Sequence, residues 1–365
     1  MNTENLHKLI NRYEENFYMI NNSENDEIFK WRAAKRFRDI WFSDEAKSMT
    51  FSEKFNAARK DFSNIMDNSY VIPSSGVVKI AEKEQEAVER LFTEVLFAND
   101  NGNITMRQNN MDGFLEEFDK LRAKHFPESF KFKQDRHAIS CYLAFYAPSE
   151  NYIYRYSDAE AFAQHIEFGK DIGSGESFRL EHYYEMCDII VDALKEHKSL
   201  LDKHFAFLSD ECYRDESLHL LAFDLMYCCR TYNFYTGMTH ASKKESIKAF
   251  TEAEARAKEA QEKQEKIEAI LTEISELECK ADIFREISLI NVQVTHKQEG
   301  TGVIIWQDAN KIKVKYAGCE KTYSIHRKFI NRPRFENDRE IVDAFTEFAE
   351  INEQIERLRI KLGLI

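Results

Sequence analysis

Two runs of apolar residues at heptad spacing bracket a stretch in which apolar residues recur at every second position. This change of period constrains the chain more than any other feature. The first run is Ile267, Ile270, Ile274, Leu277, Ala281 and Phe284, and the second is Ala344, Phe348, Ile351, Ile355, Leu358 and Leu362. Steps alternating between three and four residues put each set on one seam of a coiled-coil helix. Between them, Val292/Val294, Val303/Ile305, Ile312/Val314/Tyr316 and Tyr323/Ile325 alternate, punctuated by Gly300-Thr301-Gly302, Asp308-Ala309-Asn310 and Ala317-Gly318. That pattern predicts four or five short strands joined by turns, as in a small barrel. The two seams pair with each other as an antiparallel hairpin carrying the strands at its tip, or each pairs with a second chain; the spacing accommodates both.

Residues 1–240 read as one helical, aromatic-rich region. With 28 Phe, 16 Tyr and only 11 Gly and 4 Pro in 365 residues, the chain has ample core material and few helix breakers. Global disorder is excluded on that composition. Ile28–Trp41 places Ile28, Trp31, Phe37 and Trp41 near one helical face, and Val78–Phe97 repeats the pattern. Asn99-Asp100-Asn101-Gly102-Asn103 is a loop signal, followed by a short amphipathic helix over Met111–Leu121. Over His137–Tyr156 a helix is predicted to stop before Pro148, with an extended aromatic segment after it. Ser157 with Glu160 reads as a capping box for the next helix. A glycine-containing loop at 169–177 separates it from a helix over Phe178–His197, and Leu218–Phe234 is apolar enough to lie at the centre of a core.

Seven Cys, odd in number and without a CxxC pair, fit reduced thiols better than a disulfide framework. The polar N-terminus lacks the apolar segment of a signal peptide, and no apolar window is long enough for a membrane span. A cytoplasmic address without membrane contact is the expectation.

Charge is segregated. Residues 291–334 hold nine Lys/Arg against three acids, a net of +6, so in a chain of −13 the remainder carries −19. Lys311, Lys313 and Lys315 alternate with Ile312, Val314 and Tyr316, which predicts one strand with three ammonium groups on its exposed face. Together with Lys297, Lys321, Arg327 and Lys328 they form the candidate nucleic-acid-binding set, with Trp306 and Tyr323 as stacking surfaces. Edge lysines that only guard a strand against aggregation, or that meet a protein, are the competing explanations.

The segment 294–330 resembles the SH3-like, Tudor-like modules found at the ends of some bacterial helicases, through Val294, His296, Gly300, Gly302, Val303, Ile312, Val314 and Tyr316. Glu299 stands where an aromatic residue is common. The resemblance implies a small barrel that contacts nucleic acid or a polymerase. The segments 28–41, 137–163 and 211–229 resemble the N-terminal region of McrB-like restriction AAA+ proteins, which implies a bacterial restriction or antiviral setting. No GxxxxGK[ST] phosphate loop is present, so a motor or nuclease would be a separate partner. The expected architecture is mainly α: a helical N-terminal domain (1–240), a coiled-coil helix (241–290), an SH3-like basic β-barrel (291–334) and a C-terminal coiled-coil helix (335–365).

The other chemistry-bearing clusters read as structural. Arg32, Lys35, Arg36 and Arg38 beside Trp31 fit a solvated helix face. Gly169, Gly173 and Gly175 precede a helix but lack a following Lys-Ser/Thr pair. Cys212, His219, Cys228 and Cys229 match no zinc spacing, and His182 and Cys187 fall on different helical faces. Glu45-x-Lys47 and Glu278-x-Lys280 sit in helical contexts rather than on nuclease strands. Tyr142, Phe145, Tyr146, Tyr152, Tyr154 and Tyr156 fit core packing better than a base pocket. No catalytic residue, metal or cofactor is expected. The functional expectation is a non-enzymatic nucleic-acid-associated accessory protein, with a protein–protein adaptor as the alternative.

Overall fold

The computed structural model describes residues 1–284, 287–308, 311–324 and 339–364, with side chains omitted for 324 and 339–345. The chain divides into two compact units, Met1–Glu252 and Ala253–Ile365, and the division falls inside the helix Lys243–Asp282.

The first unit is helical throughout its described secondary structure. Its helices begin where polar side chains satisfy free N–H groups: Asn2 accepts from Asn5 N, Asn103 from Met106 N, Asp135 from Ala138 N, and Thr50 with Glu53 forms a reciprocal capping box. The helix Arg136–Tyr146 stops before Pro148, and an extended stretch leads to the next helix, as the proline predicts. The Asn99–Asn103 loop turns through positive φ at Asn101 and Gly102.

Other boundaries moved. Met111–Leu121 is part of a longer helix, Ile104–His125, because Asn103 supplies an earlier cap. Val78–Phe97 is broken into Pro73–Ala81, Gln85–Arg90 and a π-helical turn, Leu91–Leu96. Ser157 is not an N-cap. The helix starts at Tyr156, with no side-chain cap, where buried Asp158 draws Arg155 and Arg230 to 3.6 and 3.2 Å.

The apolar segment near 218–234 forms the helix His219–Thr231, buried nearly all round and packed against Thr3–Glu15, Tyr156–His165 and Leu180–Glu196. Fully burying each of its large apolar side chains stabilises the unit by roughly 1.5–3 kcal/mol. Asp224 sits in the middle of this helix, wholly buried. It survives there because it is paired. Lys30 Nζ donates to Asp224 Oδ1 at 2.6 Å and also to Glu27; Tyr13 Oη donates to Asp224 Oδ2 at 2.6 Å; Tyr232 Oη donates to Glu27 Oε1 at 2.8 Å. Burial opposes the Lys30 charge, but Asp224 and Glu27 outweigh it and hold the ammonium above its ordinary range. Beside this cluster His204 lies against Trp31, ring centroids 4.8 Å apart and tilted by 58°, with neither ring nitrogen hydrogen-bonded.

In the second unit, four strands form an antiparallel sheet in sequential order: β1 (Gln293–His296), β2 (Gly300–Gln307), β3 (Lys311–Lys315) and β4 (Glu320–Ser324). The described strands make a four-stranded open meander, which is the part of the barrel expected for 291–334 that the described residues carry. A further strand from Ile325 onward lies outside the described residues. The sheet buries Leu289, Val294, Ile304, Ile312, Val314 and Tyr316. The two heptad seams meet within the chain: Ile270, Ile274, Leu277 and Ala281 pack with Ile351 and Ile355, and Arg359 reaches Glu278 at 2.8 Å. The helices Lys243–Asp282 and Arg339–Gly363 thus form the antiparallel pair that was one of the two expected arrangements.

Two outcomes follow for the first unit. Asp224→Ala takes one of two carboxylates from the buried Lys30 ammonium, leaving Glu27 alone, and removes the acceptor of Tyr13 Oη; it should cost about 3 kcal/mol in denaturant unfolding. Burial drives the His204 pKa down from 6.5 to about 4, so below pH 6.5 the unfolded chain binds a proton that the folded one refuses. Stability therefore falls as pH drops from 6.5 towards 4. Relative to His204→Leu, the parent should lose about 3 kcal/mol on going from pH 7 to pH 4, read from paired denaturant curves.

Candidate nucleic-acid interface

β3 is built by alternation. Ile312 and Val314 are buried, so Lys311, Lys313 and Lys315 project from the opposite face. Successive lysines on that face are about 6.6 Å apart. No ion pair joins any of the three to a described residue. On β4 the facing residues are Ser324, Thr322 and Glu320, so the one carboxylate in this register stands opposite Lys315. Asp308 is engaged at the preceding turn, where its carboxylate accepts from Lys311 N at 2.6 Å.

On β2 the phase differs from the expected Val303/Ile305 pair. Ile304 is the buried residue, while Ile305 is exposed. The run Val303-Ile304-Ile305-Trp306 is apolar at every position and fits either phase, so its neighbours decide. Gly302 faces inward because Tyr316 lies over it: a Cβ there would sit 2.6 Å from the Tyr316 ring and 2.8 Å from Val314 Cγ1. Ile304 then pairs with Val314, and a bulge between Ile304 and Trp306 sets Trp306 opposite Lys313. The bulge turns the indole out beside the lysines, 42% exposed. The β1–β2 loop closes through Gly300 at φ 76°, a left-handed position that favours glycine.

The remaining predicted residues separate. Lys297 is exposed in the β1–β2 loop. Lys321 lies opposite Val314, on the other face from the three lysines, and donates to Glu299 Oε1 at 2.5 Å. That bond, with a second from Cys319, lowers the Glu299 pKa. Arg327 and Lys328 lie outside the described residues. Tyr323 does not join Trp306: it lies opposite Ile312, with its hydroxyl 3.1 Å from that of Tyr316.

The other clusters singled out in the sequence are engaged in local contacts. Arg32, Lys35 and Arg36 pair with Asp26, Asp39 and Asp61, and Arg38 donates to the Tyr146 carbonyl. Gly169 admits the Phe250 ring, whose Cβ would lie 2.3 Å from an added methyl, and Gly173 adopts φ 63° against the Ser177 carbonyl. Cys228 and Cys229 are buried, and His219 stacks on Tyr152 at 3.9 Å. Among the described residues no group of three or more His, Cys, Asp and Glu is arranged to hold a metal ion. His182 is turned to the Asp171 carbonyl at 2.7 Å, and burial raises the thiol of Cys187. Glu45-x-Lys47 lies on a 3-10 turn and Glu278-x-Lys280 on the long helix. Tyr142, Phe145, Tyr152 and Tyr154 are core residues, Tyr146 stacks on Phe97 at 4.0 Å, and Tyr156 is exposed. Among the described residues no helix is long and apolar enough to cross a membrane.

Comparison with protein-family models, with curated proteins and with solved structures finds no match. The two resemblances therefore rest on the residues quoted for them.

Gly302→Ala should drive Tyr316 off the sheet and cost about 1–3 kcal/mol, the usual penalty of overpacking. Amide hydrogen exchange across β2 and β3 should quicken, while the helix His219–Thr231 keeps its protection.

Proposed function

We propose that this chain is a non-enzymatic, nucleic-acid-associated accessory protein that holds a phosphate backbone on the outer face of β3. The observation that supports this is the straight row of Lys311, Lys313 and Lys315 on one face, the outer two exposed and Lys313 half-buried, without ion-pair partners among the described residues. In the same reading the sheet belongs to an SH3-like module, and Arg327 and Lys328, outside the described residues, add to the positive charge of that segment. The paired helices give that module a stiff mount, and a separate motor or nuclease acts on the bound polynucleotide. The restriction or antiviral setting is proposed from the segments 28–41, 137–163 and 211–229 alone.

Phosphate contacts by ammonium groups release condensed counterions, so affinity depends on salt and little on sequence. Three such contacts imply a fall of about 20- to 40-fold in affinity between 50 and 200 mM salt. Labelled DNA and RNA titrated with the protein should show this dependence. Changing Lys311, Lys313 and Lys315 together to Glu should abolish binding at low salt. A protein that binds neither polymer at low salt would be the adaptor instead, and cleavage of a plasmid in Mg²⁺ would replace the proposal with a nuclease.

A further inference from the structure

A row of cations does not by itself distinguish a duplex from a single strand. The indole beside it does. Trp306 stands opposite Lys313 in the β2–β3 register and shares the outer face of the sheet with Lys311 and Lys315. Ile304 is wholly buried, whereas Ile305, within the register shift, and Trp306, just after it, are 39% and 42% exposed. An exposed tryptophan beside lysines is a flat aromatic surface bordered by positive charge.

We infer that the β2–β3 face binds a single-stranded polynucleotide, with a base stacked on Trp306 and consecutive phosphates on Lys311, Lys313 and Lys315. This rests on the phosphate-binding reading above and narrows its ligand. The three lysines lie on a straight strand about 6.6 Å apart. Phosphates of one duplex strand follow a helical path and wind away from any straight line. An extended single strand can follow the row. Bases inside a duplex present their edges, and their faces are covered by neighbouring pairs; an unpaired base offers a free face to the indole. Thr295 and Thr301, paired across β1 and β2, lie beyond Val303 on the same face and offer hydroxyls rather than charge. Glu320, opposite Lys315, marks the end of the track where a phosphate is least welcome.

The test uses the full chain, an oligo-dT, an oligo-U and a blunt duplex of equal length, at low salt. Trp31 and Trp41 are 0% and 6% exposed, so iodide should quench mainly Trp306. Oligo-dT or oligo-U should shield that emission from iodide, and each should bind more tightly than the duplex. Trp306→Ala should weaken single-strand binding about tenfold and leave duplex binding within about twofold, while Trp306→Phe retains most of the affinity. Circular dichroism of both variants, each changed at a half-exposed site, should match the parent. Equal affinity for single strand and duplex, unchanged by Trp306→Ala, would overturn the stacking inference and leave the lysine row as a backbone contact. Binding to neither polymer at low salt would overturn both.

Discussion

Alternation along a β-strand is the constraint on which the candidate interface depends. Burying Ile312 and Val314 under Ile304 and Tyr316 leaves Lys311, Lys313 and Lys315 only one place to go, the face away from the core. Gly302 makes that choice firm from the neighbouring strand. With Tyr316 lying over it, β2 has one inward phase, and a slip by one residue would bring a bulky side chain under the ring. Charge display at this surface is therefore a by-product of packing beneath it. The lysines need no partners of their own to be held in a row.

How much of this was legible varied with the range of the interactions involved. Local chemistry was readable: the asparagine-rich loop at 99–103, the helix end before Pro148 and the lysine alternation of β3 each follow from a few adjacent residues. The heptad seams were readable as seams, but their pairing within one chain was not, because identical spacing serves an intramolecular hairpin and a dimer. The phase of β2 was misread because four consecutive apolar residues carry no alternation; the inward glycine was the clue. Ser157 was misread because its neighbour Asp158 answers to Arg230, far along the chain. Tyr323 went to the other face for the same reason as Lys321: its strand partner across the sheet is a core residue.

The buried charges of the first unit were missed entirely. An aspartate within Leu-Leu-Ala-Phe-Asp-Leu-Met was the available signal, since a carboxylate on a helix buried all round requires a cation. Nothing local could point to Lys30, 194 residues away. Such a cluster is weak evidence for stability, because an apolar replacement of the whole group can be as stable. Its effect is on alternatives: any packing that separates Lys30 from Asp224 buries a bare charge, so misregistered arrangements of the core helices are penalised.

Phe348 belongs to two apolar clusters at once, that of the sheet and that of the paired helices. Its ring lies 6.4 Å from Phe284 on the helix seam, and it also packs against the cluster formed by Val294 and Ile312. A single side chain shared in this way leaves neither cluster complete without the other. Tension applied along the helices would reach the strands through that ring, so a load on the stalk and a ligand on the sheet would each be felt at the far end.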